Sequence, residues 1–352
     1  LLIHIAPLRA RSLSPPQVAP SLVLAAAREI TMKLQRRPDR PVETGRITAT
    51  GTANAYDAAA ADYLAYADGD PAEPFGFDNC YGGADREIWR RIDAKLIALA
   101  ASGTRSLAVL DAGCGPATWL RRIALRAHAL GFAAMQVRGL DISPKMVALA
   151  QRVVAVDEVG DDLCMDARIA VGDLGERLPF PDASFDITLC LYGVLNHMSG
   201  AARASLAAEL SRVTRDTLFV TVRTAGSLPT IYVDALKRAR SYHQDNDADW
   251  MEVEMADGRR LAFQSHLFTS RELRAAFAPL LTSVSMVGLD LFRSRFAHDP
   301  HWNPVRIAGQ EAFDECIASL ERRFASDPCL IDHAAHILLV GECGGARPQW
   351  PG

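Results

Sequence analysis

Three acids and a pair of glycines stand in this 352-residue chain at spacings that suit ligand chemistry. The apolar run Leu107-Ala-Val-Leu ends in Asp111, passes through Gly113, Cys114 and Gly115, and opens into a helical pattern from Thr118. A strand, a tight glycine turn and a helix start bring bare backbone N–H groups up against a bound molecule. Asp141, in Gly139-Leu-Asp141-Ile142-Ser-Pro144, and Asp173, in Gly172-Asp173-Leu174, follow two further runs in the same way, and Leu191-Tyr192-Gly193 follows a fourth. In open α/β sheets, ligands bind beyond the carboxyl ends of the strands, where strand order reverses. A carboxylate buried there is costly without a ligand or partner.

A dinucleotide site is the obvious reading to test. Its G-x-G-x-x-G/A fingerprint, counted from Gly113, would place Thr118 at the last position. Its adenosine-side acid belongs about 20 residues further on, whereas Asp141 follows Gly115 by 26. Asp111 would also face the pyrophosphate with like charge. These mismatches argue against a dinucleotide.

The elements that must position these residues alternate. Helices are predicted from Asp85 toward Gly103, with Ile88, Trp89, Ile92, Leu96 and Leu99 on one face, and from Thr118 to the Gly131 stop. Strands are predicted at Leu107–Asp111, Val137–Asp141, Arg168–Val171, Phe185–Leu191 and Leu218–Val222. Ser143 as N-cap and Pro144 at the first helical position start a helix after the second strand, and another runs from Ala202 to Val213. Such alternation implies a parallel sheet with helices on both faces. Residues 225–265 break the rhythm with a predicted helix (Ile231 to Tyr242), an acidic stretch and a hairpin around Ala256-Asp257-Gly258. Thr269 and Glu272 form a capping box for a helix through Leu281. Two late strands, Ser283–Phe292 and Ala335–Gly341, flank a Pro/His/Arg loop and a helix from Glu311 to Phe324, and suit an antiparallel edge.

The ordered strand ends resemble those of class I S-adenosylmethionine-dependent methyltransferases. The family pattern is Asp-x-Gly-x-Gly-x-Gly; Asp111, Gly113 and Gly115 match it, and Ala117 replaces the third glycine, a departure expected to remove little backbone freedom. The resemblance implies an α/β fold: a seven-stranded Rossmann-like sheet with helices on both faces, its last two strands forming an antiparallel edge, with helical and hairpin insertions. It implies S-adenosyl-L-methionine as cofactor. Gly113 and Gly115 would let backbone approach the methionine portion, while Asp111 orders that loop or meets the ammonium. Asp141 would accept both ribose hydroxyls, a bidentate use suited to a carboxylate. Asp173 would accept from the adenine amino group, with Ile142 or Leu174 against the ring. Asp182 and Asp186 read as structural, and Cys114 as packing.

The segment Tyr192-Gly-Val-Leu-Asn196-His197-Met198 resembles the family region where acceptor and sulfonium meet. Tyr192 would border the cofactor, and Asn196 and His197 are the polar catalytic candidates. His197 could take a proton from a hydroxyl or amine acceptor, or anchor the loop to a backbone carbonyl. Tyr56, Tyr63 and Tyr81 could close over the site as partners of the cation. Acceptor specificity is expected in the insertions at 225–265 and 293–333, where Arg223, Tyr232, Tyr242, His243, Gln244, His266, Arg293 and Arg295 lie within them or at their borders. The His298/His301 and His333/His336 pairs lack a matched carboxylate set, so no metal is expected.

Composition bounds the partners. Residues 1–46 carry +5 and the remainder −9, which disfavours a nucleic-acid partner for the body. Seven scattered cysteines without a C-x-x-C pair fit a reducing, cytoplasmic setting. No apolar run approaches the roughly 20 residues of a membrane span. Residues 1–46 read as a basic, disordered extension with Met32 as the expected natural start, although their Arg-rich composition would also suit a transit peptide. Residues 47–103 read as a helical lid and 104–352 as the catalytic domain. The expected activity is methyl transfer to an N, O or C atom of a small-molecule acceptor by in-line displacement. A non-catalytic sensor or partner subunit that binds the cofactor or S-adenosylhomocysteine is the alternative. The oligomeric state is left open.

Overall fold

A computed structural model describes residues 51–54, 56–57, 73–77, 82–154, 163–226, 239–293 and 310–344. The chain divides into two units, Leu1–Arg46 and Ile47–Gly352, and every described residue belongs to the second. The expected basic extension, Tyr63, Tyr81, Tyr232, Arg295, His298 and His301 lie outside the described residues.

Seven strands form the main sheet. They are β1 (Ser106–Ala112), β2 (Ala134–Asp141), β3 (Cys164–Val171), β4 (Phe185–Cys190), β5 (Thr214–Arg223), β9 (Ser283–Leu289) and β10 (His336–Glu342), in the order β3-β2-β1-β4-β5-β10-β9. The first five run parallel, and β10 inserts antiparallel between β5 and β9. Strand order therefore reverses between β1 and β4, and a crevice belongs at their carboxyl ends. Every residue of β4 is buried, as befits a central strand covered on both faces. Its one acid, Asp186, accepts from Ala108 N at 2.9 Å and pairs with Arg215 at 2.9 Å, a structural use.

Helices cover both faces. On one, α2 (Thr118–Ala129) and α3 (Pro144–Val154) bury Ile123 and Val147 against β1, β2 and β3, and α1 (Gly82–Ala101) buries Ile88, Ile92 and Leu96 beside α2 and β9. On the other, α4 (Gly200–Val213) and α5 (Ser270–Phe277) bury Leu206, Leu210, Leu273 and Phe277 against β4, β5 and β10. Full burial of such a side chain is worth about 1.5–3 kcal/mol, so the i, i+4 stripe of α1 suffices to seat that helix. A sixth helix, α6 (Gln310–Phe324), precedes β10.

Two local expectations change. Residues 239–242, assigned from sequence to a helix, begin β6 (Ala239–Asp245), which pairs antiparallel with β7 (Trp250–Met255), itself paired with β8 (Arg260–Gln264). The hairpin supplies a strand partner that helical periodicity could not anticipate. Residues 231–238 lie outside the described residues. At α5, Thr269 Oγ1 accepts from Glu272 N at 3.2 Å, but the Glu272 carboxylate turns to His266 Nε2 at 2.8 Å. The reciprocal half of the capping box is thus spent tying α5 to the residue two beyond β8.

Candidate active site

The crevice contains a cavity of about 250 Å³ lined by strand-end residues from β1 to β4, close to the lower bound of small-ligand pockets. Gly113, Gly115, Asp141, Ile142, Asp173, Leu174 and Tyr192 all line it, so the sequence motifs converge on one space. Thr52 and Tyr56, from the helical residues 51–54 and 56–57, line its other wall, with Val194, His197 and Met198.

The β1 turn owes its shape to glycine. Gly113 has φ +85°, and a Cβ there would lie 2.3 Å from Val194 Cγ2. Both Gly113 N and Cys114 N donate to Leu140 O, at 2.7 and 3.0 Å, which fixes the turn to β2. Ala117 also adopts a left-handed conformation, φ +66°, and is fully buried. Its substitution for glycine is therefore not neutral: an L residue there costs roughly 1–2 kcal/mol, held in place by packing. Cys114 is buried, and burial together with Asp111 and Asp141 pushes its thiol well up, so it packs rather than reacts.

Asp141 ends β2 with both oxygens engaged. Oδ2 accepts from Gly115 N and Oδ1 from Ser143 N, each at 2.9 Å. Burial nevertheless raises its carboxyl above the usual range, opposed by those N–H groups. Ser143 Oγ caps α3 by accepting from Met146 N at 3.1 Å and donates to Asp57, whose carboxylate also accepts from Lys145 N at 3.3 Å. Residues 56–57 are thereby pinned to the start of α3. Sequence reasoning missed Asp57, for nothing local relates it to Ser143. Asp173 is exposed on the cavity rim and accepts from Gly175 N at 2.8 Å. Leu174 is buried behind it.

Asp111 is not in this cavity. It lines a smaller one of about 40 Å³, with Asp85, Thr118 and Trp119, that shares Gly113, Gly115, Leu191 and Tyr192 with the first. Burial, then Asp141, pushes its carboxyl up to about 8. Tyr192 stands between the two spaces at φ +56°, unusual for a bulky residue, and its hydroxyl donates to Asp85. Asp85 on α1 was not anticipated. It also faces Arg122 at 3.9 Å, a buried guanidinium stacked over Phe77 and Trp119.

The two catalytic candidates separate. Asn196 is fully buried and does not line the cavity. Its Nδ2 donates to the carbonyls of Arg223 and His266, and its Oδ1 accepts from Arg223 N at 3.0 Å. That amide stitches the β4 loop to β5 and to the segment after β8, so its polar capacity is used in scaffolding. His197 does reach the cavity. Its Nδ1 lies 2.8 Å from Gln264 O and its Nε2 2.9 Å from Tyr56 Oη. A carbonyl only accepts, so Nδ1 carries the hydrogen and Nε2 presents a lone pair, to which Tyr56 donates. Burial lowers the imidazole to about 4, opposed by the hydrogen bond to Gln264 O and aided by the nearby Arg223 cation. Burial and Asp141 push the Tyr56 phenol up. Both groups are neutral at pH 7.

Residues 109–217 match a family model described as a methyltransferase domain. Over that span the chain carries a methyltransferase domain. The matched span runs from β1 into β5 and contains Asp111, Gly113, Gly115, Asp141, Asp173 and His197. The cofactor implied by such a domain is S-adenosyl-L-methionine. The residues present fit that molecule: a glycine cradle that a Cβ would fill, and the buried carboxyl of Asp111 beside it. No curated protein matches the methyltransferase. Among solved structures, it is similar to DhpI in complex with S-adenosylhomocysteine (15% identity, 86% of this chain and 100% of that one, TM-score 0.48). It is likewise similar to a methyltransferase from Methanosarcina mazei (15%, 69% and 95%, 0.44) and to the CcbJ methyltransferase from Streptomyces caelestis (11%, 72% and 90%, 0.41). Among the described residues, no helix is long and apolar enough to cross a membrane.

Proposed function

We propose that the methyltransferase moves the methyl group of S-adenosylmethionine to an N, O or C atom of a small-molecule acceptor by direct in-line displacement. One observation carries this reading: residues of the cofactor motifs and the acceptor-side residues Tyr56, Val194, His197 and Met198 line a single cavity. Space on the acceptor side favours an enzyme over a sensor, in which that side would be filled. Bound there, the cofactor supplies an activated methyl group on a cationic sulfur.

The chain's own work is to hold, align and exclude water, and alignment can be worth roughly 7–11 kcal/mol. Gly113 and Gly115 admit the methionine portion, Asp111 receives the ammonium, Asp141 the ribose hydroxyls and Asp173 the adenine amino group. Ile142 and Leu174 flank the ring, and Tyr192 separates the amino-acid end from the acceptor space. Asn196 holds the His197 loop, and His197, neutral with Nε2 as acceptor, serves as base. The insertions 225–265 and 293–333 set acceptor specificity, and residues 47–103 cover the site.

Incubation of metabolite extracts with methyl-labelled cofactor tests the function, since label must move to a small molecule. Label retained on the cofactor, with normal cofactor binding, would favour the sensor. Asp141→Ala should weaken S-adenosylhomocysteine binding by about 1.5–3 kcal/mol, the value of hydrogen bonds to a charged group. Calorimetry reads this directly, and unchanged affinity would remove Asp141 from the ribose.

A further inference from the structure

We propose that Tyr56 and His197 form a proton relay, and that the acceptor is therefore a molecule with a hydroxyl group at the methylated atom. This rests on the methyl-transfer reading above. Tyr56 Oη and His197 Nε2 lie 2.9 Å apart in the wall of the same cavity. The His197 ring is clamped on three sides. Gln264 O takes Nδ1–H, Tyr56 meets the ring edge-to-face at 5.6 Å between centroids, and Phe263 packs at 5.5 Å. An anchoring role would need only the Gln264 bond. The second nitrogen is instead aimed at a phenol that borders the acceptor space, and a phenol oxygen can donate one hydrogen while accepting another.

The relay balances as follows. As the acceptor oxygen bonds to the methyl carbon and the carbon–sulfur electron pair stays on sulfur, the hydroxyl hydrogen becomes strongly acidic. It passes as a proton to Tyr56 Oη, while the phenol's own proton passes to His197 Nε2. Tyr56 ends neutral and His197 ends as an imidazolium, its Nδ1–H still on Gln264 O, until solvent takes the proton after product leaves.

The strength of the base selects the acceptor. An imidazole lowered to about 4 can accept from a methylated hydroxyl, an oxonium, late in the reaction. It cannot take a proton from an alkylammonium, whose ordinary value is near 10.4. An acceptor without a hydrogen, such as a thioether or an ionised carboxylate, would leave the relay without a task. Placing Tyr56 between base and acceptor also engages the imidazole lone pair in a hydrogen bond, where water would otherwise compete for it.

Methyl-labelled S-adenosylmethionine, offered to separate pools of alcohols and phenols, of amines, and of thioethers and carboxylic acids, tests the acceptor class. Label should enter the hydroxyl pool. Tyr56→Phe and His197→Gln should each lower that transfer on the order of 10²-fold, the double variant little further, with S-adenosylhomocysteine affinity kept within about 3-fold in this relay reading. A readout independent of turnover is the ¹⁵N spectrum of His197 in the full chain, assigned by its loss in His197→Gln. It should show protonated Nδ1 and bare Nε2 from pH 8 to pH 5, and Tyr56→Phe should move the Nε2 signal. An Nε2–H tautomer, undiminished transfer by Tyr56→Phe, or label in only the other pools overturns the relay, whereas label in none while S-adenosylhomocysteine binds overturns the methyl-transfer reading on which it rests. Absence of S-adenosylhomocysteine binding in the unaltered protein would overturn that underlying reading as well.

Discussion

Gly113→Ala should destabilise the protein by roughly 2–5 kcal/mol and abolish measurable cofactor binding. Two costs combine. The φ of +85° exacts about 1–2 kcal/mol from any L side chain, and the new methyl adds an overpacking cost of about 1–3 kcal/mol. The clash is with Val194 Cγ2 at 2.3 Å, with Val194 Cβ and Cγ1 already in contact at 3.5 Å, and a β-branched side chain has few other rotamers to turn to. The 3₁₀ turn Val194–His197 must then shift, carrying His197 away from Gln264 O. Thermal unfolding and calorimetry with S-adenosylhomocysteine would read both effects. The double variant Gly113→Ala/Val194→Ala should recover the steric part and leave the backbone part. Full recovery would show that the left-handed turn carries no cost, and no recovery would show that the clash is not with Val194.

The same pair of residues illustrates what the sequence could and could not tell. The glycine turn, the strand ends and the helix stripes were legible because each is a local pattern: a buried apolar run, a break, a repeat every three or four residues. Ser143-Pro144 announced its helix for the same reason, and Ser143 does cap it. What escaped were pairings between distant segments. Val194 against Gly113, Asp57 against Ser143 and Gln264 against His197 join residues 67 to 86 positions apart in the latter two cases. No spacing rule marks such pairs. Ala117 escaped differently: its substitution for glycine was visible, but only the backbone angle shows that the left-handed conformation was kept. Asn196 and His197 looked equivalent as neighbours in one polar pair. A 3₁₀ turn points one into backbone and the other into the cavity, and a sequence without that turn cannot separate them.

Asp111→Asn should strengthen the ligand-free fold at pH 8 and weaken its hold on the cofactor, two effects of opposite sign from one group. Burial raises the Asp111 carboxyl to about 8 in the folded protein, against about 3.9 when unfolded. Below pH 4 both states hold the proton and the residue is neutral in its effect. Between pH 4 and 8 only the folded state holds it, so the folded protein binds more protons and stability falls as pH rises. Asparagine has no proton to lose and removes that slope, so the melting temperature of the variant should exceed that of the unaltered protein at pH 8 and approach it near pH 4. Ligand binding reverses the balance. A cationic ammonium beside Asp111 favours the carboxylate, so at pH 7 binding should release a proton, seen as a dependence of the calorimetric heat on the ionisation enthalpy of the buffer. Asp111→Asn should abolish that dependence and weaken S-adenosylmethionine and S-adenosylhomocysteine alike, since both carry the ammonium. A loss confined to S-adenosylmethionine would place Asp111 against the sulfonium. Unchanged affinity for both, with no gain in stability at pH 8, would return Asp111 to a purely structural role in the β1 turn.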